Sequence, residues 1–403
     1  MMNAIYITPR LYPDNNGGTL HNHGLCAYLS RTLDLTAYAY LDEKYSMDAA
    51  AADASGRPYT VRHYYRKKAN PISGVRGKLA FMEPADETML ADVQKQISGE
   101  GVGIVFYTLK MSLLVERIRK RYPTVRYVYI SHNSEYLNIR ADLEQYDRHH
   151  EVGKLHHILK LLRIGLFTGW EKRAVRSSDK VFSISEQDSD NLSNHFGVRR
   201  DKFVLSRPMI RYQSARPEDK WSEEKYTHSL MIVGNMNWYP TVEGVLWVIR
   251  NVLPALTAKD SGIKLYVVGA NPSQEIRDAA EGNDHIVVTG FVDSIEEYYC
   301  RCDIALIPIF SGTGAKIKVL EAVGQNIPAV ISGFAAKDYA GIEGAAFIAD
   351  TAEEFAEKTL SLMADADLRK EISGKEKVYY SHYMESNPAV DEAVNDLLQQ
   401  SGR

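Results

Sequence analysis

Ile304-Ala305-Leu306-Ile307-Pro308-Ile309-Phe310-Ser311-Gly312-Thr313-Gly314-Ala315-Lys316-Ile317-Lys318-Val319-Leu320-Glu321-Ala322 is the stretch on which the fold turns. Its opening apolar run has the pattern of a strand buried on both faces of a parallel sheet. A glycine turn and a helical segment, 315–324, follow at once. Working outward, the alternation recurs. Strand-like runs at 230–233, 264–268, 285–289, 329–332 and 345–349 are interleaved with helical patterns at 242–256, 273–281 and 294–301. Strands alternating with helices predict right-handed βαβ units and a doubly wound parallel sheet. Upstream the rhythm repeats, with strands at 4–8, 35–40, 103–107, 126–131 and 180–184 and helices at 18–33 and 111–121. The expected fold class is α/β, with two doubly wound parallel-sheet domains in tandem.

Composition agrees with this reading and narrows it. The chain has 403 residues, 45% hydrophobic and 25% charged, an ordinary globular balance. The net charge of −4 conceals an asymmetry. Residues 1–205 hold 29 basic and 23 acidic side chains, whereas residues 206–403 hold 19 and 29, so the halves carry +6 and −10. They are expected to face different partners. The cysteines Cys26, Cys300 and Cys302 form no C-x-x-C pair, so neither a disulfide framework nor a zinc site is expected and a reducing compartment fits. No apolar run has transmembrane length, and the N-terminal one is too short for a secretory signal. The expectation is a cytoplasmic protein. The turn formers and charged run of 206–226, where the charge sign changes, mark a linker. It separates an N-terminal domain, 1–205, from a second domain that begins at 227. A last helix is expected at about 388–400.

Gly312 and Gly314 allow close backbone approach, and the helix that follows offers free N–H groups suited to an anion. Lys316 and Lys318 stand in its first turn, where the helix dipole disfavours cations, which points to a bound anion. Glu321 can accept hydrogen bonds from a hydroxyl pair such as a ribose. The competing interpretation is a plain glycine-turn helix start with exposed lysines. It is not a Walker A loop, because Ala315 precedes the lysine and the upstream glycine is absent. Gly17-Gly18 and Gly234-Asn235 occupy strand-to-helix turns of the same kind, and neither belongs to a G-x-G-x-x-G pattern, which argues against nicotinamide redox chemistry. After the strand 126–131 come His132, Asn133 and Glu135, polar groups where α/β folds bind ligands; a histidine there can orient or deprotonate a hydroxyl.

Other motifs point to structural roles. His21-Asn22-His23 lacks an acidic partner for a metal. In Ser185-Glu186-Gln187-Asp188-Ser189-Asp190 the D-x-D triplet reads better as a helix start capped by Ser185 than as a metal site. Residues 54–82 contain Arg57, Arg62, Arg66, Lys67, Lys68, Arg76 and Lys78 with no acid. Residues 148–180 carry eight basic residues against three acids, with His149, His150, His156 and His157. There Leu155, Ile158, Leu159, Leu162 and Leu166 form an amphipathic face that suits either a domain helix with a solvated basic side or an anionic membrane surface. A nucleic-acid partner is not expected, because the whole chain is acidic and carries no reading motif.

Taken in order, these motifs resemble the GT-B-fold glycosyltransferases of the retaining, group-1 (family four) type. The likeness runs through Gly17-Gly18, His132-Asn133-x-Glu135, Trp170-Glu171, Val181–Glu186, Gly234–Trp238, Gly290-Phe291-Val292 and Gly312–Ala322. The resemblance implies two Rossmann-like domains facing across a cleft, with the second holding a nucleoside diphosphate sugar. It assigns Glu321 to the ribose, and Gly312, Thr313, Gly314, Ala315, Lys316, Ile317 and Lys318 to the diphosphate. Gly234 and Asn235 join the donor site, and the Gly290–Val292 backbone meets the base. His132 and Thr313 become the catalytic candidates, with Gly17, Gly18, Asn133 and Glu135 forming an acceptor and phosphate loop. The last helix is implied to cross back onto the first domain, which then comprises 1–205 plus about 380–403, with 227–379 as the second.

The implied reaction moves a sugar, with retention, to a glycan or lipid-linked acceptor in surface polysaccharide or glycoconjugate synthesis. The cofactor expectation is none: no metal, the nucleotide sugar being a co-substrate. An inner membrane face is a further expected partner of the basic half. Thr313 departs from the family, which often has glutamate there, and Gly234-Asn235 lacks an Arg/Lys pair found in some relatives. A nucleotide-sugar epimerase or hydrolase, and a non-catalytic partner of another glycosyltransferase, are the alternatives.

Overall fold

The computed structural model describes residues 1–12, 17–42, 56–65, 82–141, 154–212 and 228–401. The chain forms two compact units, Met1–Ile210 with Asn387–Arg403, and Arg211–Ser386.

Unit one is built on a seven-stranded sheet in which every pairing is parallel, in the order β3-β2-β1-β4-β5-β6-β7. The strands are β1 (Met2–Thr8), β2 (Leu33–Leu41), β3 (Thr60–Tyr65), β4 (Ile104–Thr108), β5 (Arg126–Ser131), β6 (Lys180–Ser183) and β7 (Phe203–Leu205). Helices α1 (Gly17–Leu29), α2 (Glu87–Glu100), α3 (Ser112–Arg121), α4 (Lys154–Ser177) and α5 (Glu186–Phe196) cover it. The central strands are apolar without alternation, as sheets buried on both faces require: all of Ile104–Thr108 is buried. Unit two repeats the plan with β8 (Ser229–Val233), β9 (Lys264–Val268), β10 (Ile286–Gly290), β11 (Ile304–Ile307), β12 (Ala329–Ile331) and β13 (Phe347–Ile348). Their order is β10-β9-β8-β11-β12-β13, again parallel throughout. The helices that place its loops are α6 (Tyr239–Trp247), α7 (Gln274–Ala280), α8 (Glu296–Arg301), α9 (Ile317–Gly324), α10 (Ala352–Ala364) and α11 (Ala366–Glu385).

Both orders reverse direction once, between β1 and β4 and between β8 and β11. Doubly wound sheets bind ligands in the crevice at the carboxyl ends of the strands flanking such a reversal. The strand order alone therefore assigns each unit one preferred location for a site. Close packing keeps these loops in place: a Cβ at Gly244 in α6 would lie 2.0 Å from the Pro308 carbonyl oxygen at the exit of β11.

The last helix, α12 (Pro388–Ser401), completes unit one. Val390, Val394 and Leu397 are buried, the Tyr28 hydroxyl donates to the Asp391 carboxylate (2.6 Å), and the Asn387 amide donates to the Tyr28 oxygen (2.6 Å). The return to unit one falls at Asn387 rather than near 380, because α11 runs unbroken to Glu385. The first boundary lies at Ile210, not 205: the Ser206 amide continues the sheet by donating to the Ser183 carbonyl (2.8 Å).

The helix expected over 18–33 ends at Leu29, and β2 begins at Leu33. Strands β3 and β7 were not anticipated. The first lies inside the basic stretch and is only half-buried, so it never shows a continuous apolar run; the second has three residues. Arg66, Lys67, Lys68, Arg76 and Lys78, His149 and His150, the side chains of Leu155, His156 and His157, and linker positions 213–226 lie outside the described residues.

Candidate functional site

In unit two the loops leaving β8 and β11 meet at the strand-order reversal. Gly312 (φ 107°) and Gly314 (φ 73°) both occupy the left-handed region, which residues with a Cβ rarely enter. Gly312 is flanked by the loop after β8: a Cβ there would lie 3.2 Å from Pro240 and 3.4 Å from Trp238. The Ser311 hydroxyl donates to the Glu243 carboxylate (3.1 Å). Asn235 shapes the neighbouring turn, its side-chain oxygen accepting from the Asn237 amide (3.2 Å) and its carbonyl from the Trp238 amide (3.0 Å). Gly234 is confined by Thr241, and its own amide donates to the Val268 carbonyl (3.1 Å).

Helix α9 then starts at Ile317 with no side-chain cap. Two of the expected free amides are already engaged: Ile317 donates to the Ala315 carbonyl and Val319 to the Lys316 carbonyl, both at 2.9 Å. The two lysines have different surroundings. Lys316 is buried, donates to the Gly314 carbonyl (2.7 Å), lies 3.6 Å from the Asp338 carboxylate and sits over the Phe334 ring (4.4 Å). It braces the loop from behind. Lys318 is partly exposed and pairs with Glu321 at 2.5 Å, one helical turn on. Gly290 (φ 68°) ends β10 beside a cavity of about 530 Å³ lined by Gln274, Arg277 and Asp278, and Phe291 is 74% exposed; Val292 follows.

In unit one a cavity of about 420 Å³ opens at the reversal between β1 and β4. Thr8 and Thr108 line it from those strands, Gly18, Thr19 and Asn22 from α1, and His132, Asn133 and Glu135 from the loop after β5. Gly17 opens α1, whose first turn holds no acid. The Tyr6 hydroxyl donates to Asn22 Oδ1 (2.6 Å), and Asn22 Nδ2 donates to Thr8 Oγ1 (3.0 Å). His132 Nε2 lies 2.9 Å from the same Asn22 oxygen, which carries no proton, so Nε2 is the donor and Nδ1 the basic nitrogen. Burial, and then the Lys110 charge, push the imidazolium down to about 4, so the ring is neutral near pH 7. His21, fully buried, stands edge-on to it with ring centroids 5.3 Å apart.

Two buried carboxylates hold this loop. Glu171 on α4 accepts from the Glu135 amide (2.9 Å) and the Tyr136 amide (2.8 Å). Asp188 on α5 accepts from the Ser134 amide (2.7 Å) and hydroxyl (2.8 Å). Together they cap the helical residues 135–141. Burial and then the Glu135 carboxylate push Glu171 up to about 8 against the pull of the two amides. The D-x-D triplet is thus structural: Ser185 caps α5 by accepting from the Asp188 amide, and Asp190 pairs with Arg200 (2.8 Å). Neither Trp238 beside Gly312 nor the capping task of Glu171 was read from the sequence. The pattern Gly234–Trp238 carried the signal for the first; nothing local signals the second. Among the described residues no group of three or more His, Cys, Asp or Glu side chains can hold a metal.

Residues 227–365 match the family model described as glycosyl transferases group 1. No curated protein sequence matches the chain at a significant level. Among solved structures, Anabaena HepE in complex with UDP is 12% identical, with a TM-score of 0.61 over 99% of this chain and 100% of that one. TarM is 11% identical (TM-score 0.66, 98% and 99% covered). WaaG, a glycosyltransferase involved in lipopolysaccharide biosynthesis, is 14% identical (TM-score 0.57, 98% and 99% covered). The chain therefore has the GT-B fold of two parallel-sheet α/β domains, and its second unit carries the segment that matches the group 1 glycosyl transferases.

Proposed function

We propose that the protein is a glycosyltransferase that binds a nucleoside diphosphate sugar in unit two and an acceptor hydroxyl in the cavity of unit one. The observation that carries this reading is the glycine loop 311–316 leading into the uncapped start of α9, with Lys318 and Glu321 one turn apart, inside the segment that matches the group 1 model. The UDP bound to Anabaena HepE supports it. In this reading Lys318 and the amides still free at the start of α9 stabilise the negative charge that grows on the leaving diphosphate, with no metal required. Glu321 accepts from the ribose hydroxyls, and the Gly290–Val292 backbone meets the base. Neutral His132 presents Nδ1 to an acceptor hydroxyl, with Asn133 and Glu135 beside it. Thr313 contributes a hydroxyl to the donor sugar. The finer parts of the proposal are a hexosyl group, retention at its anomeric carbon, and a glycan or lipid-linked acceptor of a surface polysaccharide or glycoconjugate.

Calorimetric titration with UDP and UDP-glucose, followed by other nucleoside diphosphates, tests the donor assignment. Replacing Lys318 by Ala removes a charge-assisted contact worth about 1.5–3 kcal/mol, a loss of roughly tenfold to a hundredfold in affinity. It also leaves the Glu321 carboxylate unpaired near the diphosphate, so Lys318→Ala is expected to cost more than Glu321→Ala. Nucleotide affinity unchanged in both variants refutes the donor site.

A further inference from the structure

Helix α4 is apolar on two opposite sides. Phe167, Ala174 and Val175 face the core of unit one, as does Glu171. On the other side Ile158, Leu159, Leu161, Leu162 and Leu166 are between 41% and 56% exposed. Elsewhere among the described residues large exposed apolar side chains occur singly or in pairs, which needs no explanation; five on three turns of one helix does.

Helical spacing places Ile158, Leu162, Gly165, Leu166, Gly169, Arg173 and Arg176 along one outward strip. A Cβ at Gly165 or Gly169 would meet nothing within 4 Å, so the strip is open along its length. Its character changes along the axis. Its first part is aliphatic, and past Gly169 the exposed side chains of the helix are Lys172, Arg173, Arg176 and Ser177, three of them basic. Arg173 also lies over Trp170 (5.0 Å) and 3.4 Å from Glu116. The one acid of α4, Glu171, points inward to cap the helical residues 135–141. Arg119 of α3 donates to the Ser177 hydroxyl at 2.5 Å, which brings the basic last turn of α3, with exposed Lys120 and Arg121, to this basic end.

We propose that this face of α4 docks on a bilayer surface containing anionic phospholipid, with the Ile158–Leu166 side chains in the interfacial layer and the basic residues on the headgroups. Aliphatic area adjoining a predominantly cationic patch is the chemistry of a helix lying in a membrane interface. Charge favours lipid over a second copy of the chain, because two such faces brought together would set arginine and lysine against each other with no exposed acid on the strip. The inference goes beyond the glycosyl-transfer reading and stands without it, since docking involves neither nucleotide nor acceptor.

The test is co-sedimentation of the full chain with vesicles of phosphatidylcholine alone and of phosphatidylcholine with an equal part of phosphatidylglycerol. Binding is expected to the anionic vesicles, to be weaker to the neutral ones, and to decline with salt. Each basic residue near such a surface contributes roughly fivefold, so Lys172→Glu with Lys120→Glu, two exposed positions, is expected to weaken binding by more than about tenfold. Leu162→Glu with Leu166→Glu is expected to abolish the remainder. All four positions are exposed, so unfolding temperature and UDP affinity are expected to hold, which separates loss of docking from loss of fold or of the donor site. Equal sedimentation of the variants and the parent overturns the proposal, as does no binding by the parent. A concentration-dependent dimer in lipid-free buffer that Leu162→Glu with Leu166→Glu disperses assigns the face to a second copy instead.

Discussion

At the scale of single residues, similar side chains acquire different tasks from their surroundings. Lys316 and Lys318 are two positions apart in sequence, yet one is buried against Gly314 and Asp338 and the other reaches Glu321 at the loop mouth. Their order in the chain shows a basic helix start; which amine is available to an anion depends on the side each residue takes around the turn. His132 shows the same dependence. A histidine after a strand can be charged or neutral, and burial together with Lys110 holds this one near 4, below the ordinary value of about 6.5. The unfolded chain therefore takes up a proton here before the folded one does. The stabilisation this site provides is complete above about pH 6.5 and is lost as pH falls toward 4. Thermal unfolding of His132→Gln is expected to show a flatter acid limb across that window than the parent, with the two slopes converging near pH 7.

At the scale of elements, strands buried on both faces were the most legible. The reading of 126–131 and 264–268 coincides with β5 and β9, because after a charged first residue each carries the apolar run expected of a strand inside a parallel sheet. The edge strand β3, Thr-Val-Arg-His-Tyr-Tyr, mixes charge with aromatics, because one edge and part of its faces meet solvent. It was therefore read as part of a basic stretch. Helix ends were less legible where the next element follows at once, as at Leu29 and Leu33. The packing of α6 on the exit of β11 was not legible at all, since it depends on Gly244 meeting Pro308 across the fold. Gly244→Ala places a methyl group on that carbonyl oxygen. It is expected to destabilise unit two by at least about 1–3 kcal/mol in urea unfolding, despite the better helix propensity of alanine. It should also weaken nucleotide binding, because Pro308 leads into the glycine loop.

At the scale of the whole molecule, the chain leaves unit one after Ile210, builds unit two, and returns at Asn387 to close unit one with α12. The final helix thus stabilises a unit whose other residues lie far away in sequence. Leu397 is 1% exposed, so Leu397→Ala is expected to cost about 2–5 kcal/mol of unit-one stability, read by urea unfolding. UDP affinity, which the proposed donor site assigns to unit two, should be unchanged at temperatures where unit one remains folded. The charge asymmetry also acquires structure at this scale. The basic half contributes the open cationic end of α4. The acidic half offers its donors locally: in the proposed donor site the amides at the start of α9 and the Lys318 amine beside Glu321 meet a diphosphate within a domain of like net charge, because short-range contacts outweigh a field screened over about 8–10 Å.

The sequence by itself determined the α/β class, the alternation of elements, the glycine loop at 311–316 and most of the residues that gather at the two strand-order reversals. These are local properties: period, glycine conformational freedom and the continuous apolarity of buried strands are written in neighbouring residues. Tertiary structure alone decided that Glu171 and Asp188 cap the His132 loop, that Lys316 turns inward while Lys318 does not, and that the outer side of α4 is uncovered. Each of these depends on which groups from distant parts of the chain desolvate or neutralise a side chain, and spacing along the sequence carries no record of that.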